Sequence, residues 1–450
     1  MRNVRASSFA LLFLFVALTG YLSYGVARYE TTVLISCYIG LFVLYSFVFQ
    51  KESEINFWLT GAIIIRVSLL LVLPNLSDDF YRFIWDGRLW VAGEHPFAAL
   101  PTDFLNQRIP GLDAALFEKL NSKEYFTIYP PVAQFVFWVS TSTSSALANS
   151  ILGSVVVMRI LILLAEAGSI ILMLRLLEWF QLPRKNVLLY ALNPLVILEL
   201  TGNLHFEVFV IFFLLLSVWL LTNEKIFPAA VAFAFAIGVK LVPVIFLPLL
   251  LGVFAFRKVI TFYLVVGFTC VLLFLPMYDQ QVLAGFSTSI SLYFKSFEFN
   301  ASLYYLVREY GFWKVGYNTI QNTGWKLGMV SAIFIAVYAF LFKTGKQGSS
   351  NEKNRIVNSS LLSGFLFTLL IYLSFATTVH PWYITSLAAF SIFTKWRFGI
   401  LWTALIFLTY IGYSQNGYSE RLWITASEYL IVFGYLGYEL LWKEDELNYR

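Results

Sequence analysis

The sequence predicts an all-α, polytopic transmembrane bundle of about 12 to 14 helices, including re-entrant elements. Of its 450 residues, 59% are hydrophobic and 13% are charged, whereas about a quarter of a typical soluble protein is charged. Apolar runs follow one another from residue 8 to residue 442, with few polar breaks long enough to be a domain. We therefore expect one membrane-embedded domain, 1–450, and not two or three soluble units.

The individual spans follow from length. A helix that crosses a bilayer needs about 20 mostly apolar residues. The runs that come closest to this requirement are 8–26, 32–50, 56–73, 151–174, 186–202, 206–222, 259–276, 325–342, 357–378, 382–394, 398–413 and 424–442. The first run is long enough to span and has no clear cleavage site, so we expect a retained helix and not a signal peptide.

The basic residues predict how these spans are threaded, because Lys and Arg collect on the cytoplasmic side of a membrane. That rule assigns to the inside Arg2, Arg5, Lys51, Arg184, Lys185, Lys225, Arg257, Lys258, residues 343–355, Lys395, Arg397 and Lys443. The long loops 74–128 and 277–323 then lie outside. This threading requires Tyr129–Ala146 to re-enter or lie along the outer surface, and Ile226–Phe256 to form a hairpin with both ends inside.

Composition also excludes several classes of function. The net charge of +5 comes mostly from Lys and Arg between the apolar runs, so it reflects topology, and nucleic acid is not an expected partner. Cys37 and Cys270 both lie inside apolar runs, which excludes a disulfide framework and a cysteine metal site. The sequence has no spaced ligand set such as His-Glu-x-x-His, and we expect neither a metal nor a cofactor.

The most polar part of the chain is the start of loop 74–128. Residues 78–88 read Asp-Asp-Phe-Tyr-Arg-Phe-Ile-Trp-Asp-Gly-Arg and directly follow an apolar helix. As a helix, this segment would present one polar face, formed by Asp78, Asp79, Arg82 and Asp86. Its apolar residues would lie in the membrane interface, namely Phe80, Phe83, Ile84 and Trp85. The pattern predicts carboxylates and a cation at the level of lipid headgroups.

Such a site suits an inverting displacement at a lipid-linked sugar. A carboxylate of Asp78 or Asp79 would take the proton from an acceptor hydroxyl while that hydroxyl attacks the anomeric carbon. The leaving phosphate needs cations or oriented donors, and Arg82 and Arg88 carry guanidinium groups that fit phosphate. The alternative is structural, with Asp78 and Asp79 capping a helix and Asp79 paired with Arg82.

Further candidates for substrate binding face the same compartment. His205 and Glu207 stand at the predicted outer end of a span, where they either serve function or bond each other or water. Lys240 lies inside the predicted hairpin, where a lysine costs about 2.5 to 3.5 kcal/mol without a partner. We expect Lys240 to bind the carrier phosphate and not to snorkel to the surface. His380 begins a His-Pro-Trp-Tyr run and is a candidate sugar or acceptor contact, while Tyr129, before Pro-Pro, suits a structural role or the lining of the site.

Other charges within spans predict helix packing. Arg159 and Glu166 lie seven residues apart and share one helix face, which predicts a buried ion pair between them. Arg66 and Glu199 also lie within spans and are interpreted as packing residues, and neither is assigned to catalysis.

Segment 78–88, the Gly-Glu-His-Pro-Phe and Tyr-Pro-Pro runs that follow it, and Gly-Asn-Leu-His together resemble the multispanning GT-C superfamily of glycosyltransferases. The likeness extends over most of the chain and is greatest to the bacterial mannosyltransferase-like branch. It implies a GT-C-like fold, a polyprenyl-phosphate-linked sugar donor, inversion at the anomeric carbon, and a catalytic base from the first large outer loop. By position that base is Asp78 or Asp79. The chain departs from the family in two extra spans before the motif and in His95, where related sequences tend to have Asn.

The predicted function is therefore transfer of a mannose-like sugar to a glycan, lipid or protein acceptor at the extracytoplasmic face of a bacterial cytoplasmic membrane. The main alternative is a transporter or lipid flippase, which would have two corresponding halves, each with a broken helix. No internal repeat is evident in the sequence. A structural subunit, in which the aspartates would be dispensable, is a third hypothesis.

Overall fold

The computed structural model describes residues 5–50, 54–107, 109–145, 150–342 and 350–441. Several positions that the sequence assigns to the cytoplasmic side lie outside the described residues, namely Arg2, Lys51, Lys443 and residues 343–349. Within the described ranges, the regular structure is helical apart from one pair of two-residue strands. The predicted all-α class is confirmed.

The N-terminal part of the chain forms thirteen helices. In chain order they are α1 (Ala6–Gly25), α2 (Thr31–Phe49), α3 (Ile55–Ser68), α4 (Asp79–Ala92), α5 (Pro101–Leu105), α6 (Ala114–Glu118), α7 (Pro131–Ser145), α8 (Ile151–Trp179), α9 (Leu188–Ala191), α10 (Glu207–Thr222), α11 (Ile226–Val239), α12 (Leu250–Val253) and α13 (Phe256–Phe274). Between them lie short 3₁₀ segments at Arg184–Val187, Val242–Leu249 and Leu275–Met277, and a π-helix at Val196–Gly202.

The C-terminal part adds further helices and the strand pair. They are α14 (Gln280–Lys295), α15 (Leu303–Val315), α16 (Ile320–Leu341), α17 (Ser350–Phe375), α18 (Ile384–Ser391), α19 (Phe398–Leu405), β1 (Tyr413–Ser414), β2 (Gly417–Tyr418) and α20 (Leu422–Leu441), with 3₁₀ segments at Pro381–Tyr383 and Ile406–Gly412. The strands pair antiparallel, with Tyr413 opposite Tyr418.

Five helices in the described residues are long and apolar enough to cross a membrane: α1, α2, α8, the segment Phe256–Met277 that contains α13, and α16. A sixth span results if the π-helix and α10, which are bent by 107° relative to each other, are counted together. The predicted polytopic bundle is confirmed, but several predicted spans are shorter than a bilayer is thick. The run 382–394, for example, contains only the eight-residue α18.

The predicted span 186–202 is broken in the middle. Helix α9 ends at Ala191. The side-chain oxygen of Asn193 accepts a hydrogen bond from the backbone nitrogen of Leu195 (3.0 Å), and Pro194 lies between them. Proline removes a backbone donor and disfavours the helical conformation in the residue before it. The chain then forms the π-helix and a turn before α10 begins at Glu207. Non-helical backbone therefore lies inside the bundle, all of it buried.

Helices α10 and α11 pack side by side and run in opposite directions. Ser217 in α10 donates a hydrogen bond to the carbonyl oxygen of Ala229 in α11 (2.8 Å). Helix α11 ends at Val239, and Lys240 is extended (φ −148°, ψ 146°). The chain turns back there, so Lys240 lies at the tip of the predicted hairpin, beside Glu207 at the start of α10.

Arg159 of α8 is buried and binds backbone oxygens of two broken segments. Its Nε and Nη2 atoms donate to the carbonyls of Thr201 (2.8 Å) and Gly202 (2.9 Å). Its Nη1 atom donates to the carbonyls of Leu70 (2.8 Å) and Val72 (2.6 Å), beyond the end of α3. The Arg159 guanidinium thus links the segment that precedes Asp78 to the segment that precedes His205.

The predicted ion pair between Arg159 and Glu166 is wrong, because the carbonyl oxygens occupy the Arg159 guanidinium. Glu166 pairs instead with Arg66 of α3 (Nη2 to Oε2, 3.1 Å), and both side chains are fully buried. Tyr190 donates its hydroxyl to Glu166 (3.1 Å), and Arg66 also donates to the carbonyl of Ala191 (2.6 Å). This network fixes α3 against α8 and α9.

Removing one partner of this buried pair should destabilise the protein strongly. In Glu166→Gln the Arg66 guanidinium keeps its charge but loses its counter-charge, so we expect the free energy of unfolding to fall by about 3 to 5 kcal/mol. The measurement is the thermal unfolding of the purified protein in detergent. The control is Glu118→Gln, which removes the partner of Lys123 at a site where Glu118 is 72% exposed, and which should cost about 1 kcal/mol or less. Equal melting temperatures for the two variants would contradict this assignment.

Candidate active site

Helix α4, which begins at the aspartate pair, is buried inside the protein. It packs along α7, and Gly87 permits the close approach, because a Cβ atom there would lie 2.5 Å from the backbone oxygen of Phe137. The apolar side chains predicted to lie in the membrane interface are at most 1% exposed, namely Phe80, Phe83, Ile84 and Trp85. That prediction is wrong because α6, α7 and α8 cover the helix.

The polar residues along α4 bind groups of the protein. Arg82 and Asp86 form an ion pair (Nε to Oδ1, 2.8 Å). Arg82 also donates to the carbonyl of Tyr125 (2.8 Å), and Gln134 of α7 donates to Asp86 (3.0 Å). Arg88 donates to a backbone carbonyl of the same loop. These three residues, predicted to bind substrate, therefore lie where they link α4 to the later part of loop 74–128 and to α7.

The two aspartates have different partners. Asp78 stands at the helix N-cap position, but its carboxylate binds Arg28 (2.6 Å) and makes no capping hydrogen bond. Asp79 accepts a hydrogen bond from the side chain of Asn121 (2.7 Å). The structural alternative, with two capping aspartates and an Asp79–Arg82 pair, does not agree with these contacts. The charge of the Asp78 carboxylate is thus balanced by a guanidinium, whereas the Asp79 carboxylate is bound by a neutral amide.

Lys240 and Glu207 form an ion pair beside Asp79. The Lys240 side chain is 22% exposed and that of Glu207 is 6% exposed. The Lys240 ammonium also lies 5.3 Å from the centre of the Tyr383 ring, a cation–π contact. A carboxylate and an aromatic ring therefore keep the Lys240 ammonium at the hairpin tip. These contacts do not occupy all of its N–H donors.

Two histidine rings stack on Trp382, which lies two residues after His380 in the His-Pro-Trp-Tyr run. The ring of Trp382 lies 3.6 Å from that of His205 (interplanar angle 15°) and 4.3 Å from that of His380 (11°). His380 also contacts Phe299 (4.7 Å). The rings of both histidines are thereby fixed, although they come from segments far apart in the chain.

Asp79, His205, Glu207, Lys240 and His380 form one group, which we call the polar cluster. Burial raises the pKa of Asp79, the Asn121 amide and the Lys240 ammonium oppose that rise, and Glu207 adds to it. Burial lowers the pKa of His380 to about 3, and the Lys240 charge acts in the same direction. The cluster combines a carboxylate of raised pKa, a cation and two neutral imidazoles, which is what a general base and an anion site require.

Tyr129 lies at the edge of this cluster. Its ring packs edge-on against Phe83 (5.0 Å) and Phe137 (5.3 Å). Burial raises its pKa, and the carboxylates of Asp79 and Glu207 add to that effect. Helix α7 begins two residues later at Pro131, as the Tyr-Pro-Pro run predicts.

Sequence reasoning did not identify Arg28 or Trp382 as site residues. Arg28 pairs with Asp78 and lies 5.2 Å from the centre of the Tyr413 ring. The sequence does single out Arg28, because it follows the first span on the predicted outer side, where the positive-inside rule leaves few basic residues. Trp382 lies in the His-Pro-Trp-Tyr run, of which only His380 is a sequence-predicted candidate. In the part of the chain that the structure describes, no three His, Cys, Asp or Glu side chains gather as a metal site would need.

Two of the three histidines in the chain should stay neutral well below their ordinary pKa of 6.5. Burial lowers the pKa of His95 to about 4 and that of His380 to about 3. The unfolded chain takes up protons at these residues below pH 6.5, whereas the folded protein does not, so stability falls as the pH drops from 6.5 toward 4. NMR titration of histidine-labelled protein checks this, with His→Gln variants as assignment controls. A midpoint near 6.5 for either residue would contradict it.

Comparison with known proteins gives one match. A family model described as alpha-(1->6)-mannopyranosyltransferase, N-terminal domain, matches residues 16–256, more than half of the chain. The matched region contains four of the five residues of the polar cluster, all except His380. No curated protein and no solved structure matches the chain significantly.

Proposed function

The chain belongs to the alpha-(1->6)-mannopyranosyltransferase family, a GT-C-type family of mannosyltransferases, and from this premise we propose that it moves mannose from a polyprenyl-phosphate carrier to a hydroxyl acceptor with inversion. The family supports glycosyltransferase activity and a sugar donor and acceptor. The carrier, the stereochemistry and the acceptor belong to the proposal. The acceptor is a glycan, lipid or protein, and the site faces outward from a bacterial cytoplasmic membrane.

The observation that carries the proposal is the convergence of the polar cluster. Asp79 comes from the start of α4, Glu207 from the start of α10 and Lys240 from the hairpin tip. The charges of Lys240 and Glu207 both act on the pKa of Asp79. A carboxylate and an ammonium that interact electrostatically support the proposal, because attack on a sugar phosphate requires a base and a cation at one site.

In the proposed step, Asp79 is the general base. Its carboxylate takes the proton of the acceptor hydroxyl while the hydroxyl oxygen bonds to the anomeric carbon from the face opposite the phosphate. The bond between that carbon and the phosphate oxygen breaks, and its electron pair leaves with the carrier phosphate. Asp79 ends the step protonated, the sugar is linked to the acceptor with inverted configuration, and the phosphate carries the additional negative charge.

The contacts favour Asp79 over Asp78 for this role. Asp78 is committed to Arg28 at 2.6 Å, so its carboxylate already has a partner and is less available to an acceptor hydroxyl. The pKa of Asp79 is raised by burial, which strengthens it as a base. Asp78 and Arg28 would then fix the start of α4.

Lys240 is the proposed ligand of the leaving phosphate. Its ammonium is half-buried and paired with Glu207, and a phosphate dianion competes with a carboxylate for the same donors. The Lys240 charge acts on His380, and the Glu207 charge acts on Tyr129. Arg82, Asp86 and Arg88 support the site indirectly, because their contacts hold the loop that carries Asp79.

Asp79→Asn should lower kcat by roughly 10²- to 10⁴-fold, since the amide cannot accept the proton. The assay uses purified protein in lipid and polyprenyl-phosphate mannose. Asp78→Asn, the matched control one residue away, should retain most of the activity. In the wild-type protein, the acidic limb of the rate profile should lie above the ordinary carboxyl pKa of 3.8, because the folded pKa of Asp79 is raised.

Equal loss in both variants, with normal melting temperatures, would contradict the choice of Asp79. Full activity of Asp79→Asn would contradict the whole catalytic assignment.

Lys240→Gln should weaken binding of the carrier phosphate. Loss of a charged hydrogen bond costs about 1.5 to 3 kcal/mol, so we expect the donor KM to rise by roughly 10- to 100-fold. Inhibition by sugar-free polyprenyl phosphate should weaken by the same factor. Lys123→Gln, which changes a lysine paired with exposed Glu118, is the matched control. An unchanged donor KM in Lys240→Gln would exclude Lys240 as the phosphate ligand.

A further inference from the structure

A buried carboxylate next to the polar cluster has no part in the transfer step described above. Glu199 lies in the π-helix and is fully buried. Tyr410 donates its hydroxyl to Oε1 (2.7 Å), and Asn203 donates its amide to Oε2 (3.2 Å). His205 Nε2 lies 3.5 Å from the same Oε2. Ionisable groups buried in a membrane bundle are costly and mark functional positions.

The backbone holds Glu199 and His205 in a fixed relation. The backbone nitrogen of His205 donates to the carbonyl of Glu199 (3.2 Å) across the turn that ends the π-helix. Leu204, between them, adopts φ +63°, which leucine rarely does. π-Helical turns and unfavourable backbone conformations are concentrated at functional sites. The local fold therefore maintains a strained conformation that brings this carboxylate to this imidazole.

Trp382 fixes the plane of the imidazole. The two rings stack at 3.6 Å with an interplanar angle of 15°, and Trp382 is itself held by stacking with His380. His205 is 2% exposed, so its ring has no room to turn into water. One nitrogen of His205 consequently faces Glu199, and the other faces away from it.

Hydrogen bonding then decides which nitrogen carries the proton. Tyr410 and Asn203 each donate to one oxygen of Glu199, so both oxygens act as acceptors. An unprotonated Nε2 would face the acceptor oxygen Oε2 lone pair to lone pair, so Nε2 carries the proton and Nδ1 is the acceptor. Within the described residues, Nε2 is buried and has no hydrogen bond of good geometry, and Glu199 at 3.5 Å is only slightly beyond hydrogen-bonding distance. Such contacts often shorten when substrate binds.

We propose that Glu199 is a positioning residue that holds His205 in the Nε2–H form, so that Nδ1 accepts a hydrogen bond from a hydroxyl of the transferred sugar. The sugar contact rests on the proposed function, whereas the link between Glu199 and His205 does not. Tyr410 completes the chain by fixing the carboxylate from the other side.

The first test measures directly which nitrogen of the His205 imidazole carries the proton, and it needs no substrate. The chain has three histidines, so ¹⁵N-histidine labelling gives few signals, and His205→Gln assigns those of His205. We expect the His205 proton on Nε2, with a resonance shifted downfield by the carboxylate, and an upfield shift in Glu199→Gln. Glu439→Gln, a fully buried glutamate that binds backbone nitrogens of Arg397 and Phe398, is the matched control and should leave the signal unchanged. A proton on Nδ1, or an unchanged signal in Glu199→Gln, would overturn the link.

The second test asks whether Glu199 acts through His205. Loss of a positioning partner commonly costs 10- to 100-fold in activity, and we expect Glu199→Gln to lower kcat/KM for the mannose donor in that range. In a His205→Gln background, the same change should have almost no effect, because its target is gone. Equal losses in both backgrounds would show a merely structural role and overturn the proposal. Tyr410→Phe should reproduce a smaller loss with the same background dependence.

The two tests also separate this proposal from the proposed function. If the NMR link is present but no polyprenyl-phosphate sugar is transferred by wild-type protein, the proposed function fails and the Glu199–His205 arrangement stands. If transfer occurs but the NMR signal is insensitive to Glu199→Gln, the positioning role fails and the proposed function stands.

Discussion

The site depends on a buried arginine that forms hydrogen bonds with the backbone carbonyl groups of interrupted helices inside an apolar bundle. Carbonyl groups at the ends of helices need partners, and in a low-dielectric interior an unpaired carbonyl costs several kcal/mol. Arg159 supplies hydrogen bonds to four carbonyls from two such segments. One of these segments leads to Asp79 and the other leads to His205. The guanidinium that stabilises the irregular backbone therefore also fixes these two parts of the polar cluster relative to each other.

Charge at the site is compensated before any substrate is present. Asp78 is paired with Arg28, Glu207 with Lys240, and Glu199 is held by hydroxyl and amide donors. Isolated ions would be too costly at this depth. In the proposed function, the carrier phosphate replaces Glu207 as the partner of Lys240. The ion pair that compensates these charges in the bundle would then also supply the cation that an anionic ligand needs.

The C-terminal part of the chain completes a site that begins in the N-terminal part. The family match ends at residue 256, but His380, Trp382 and Tyr410 all contribute rings or a hydroxyl to the cluster and its neighbours. Aromatic stacking allows this, because a rigid ring such as Trp382 can fix two imidazoles from different segments with little loss of conformational entropy. The matched region therefore supplies the charges, while the remainder supplies the surfaces that orient them.

The sequence by itself determined the class of fold, the helix after Asp78 and the hairpin around Lys240, and it named all five residues of the polar cluster. These features depend on local properties: apolar run length, the positions of Pro, and the cost of a charge in an apolar segment. Only the tertiary structure decided the pairings. Arg159 and Glu166 share a helix face, yet each binds elsewhere, and the aromatic side of α4 lies in the core because other helices cover it. Which charges meet depends on contacts between distant segments, and neither spacing nor composition encodes those distances.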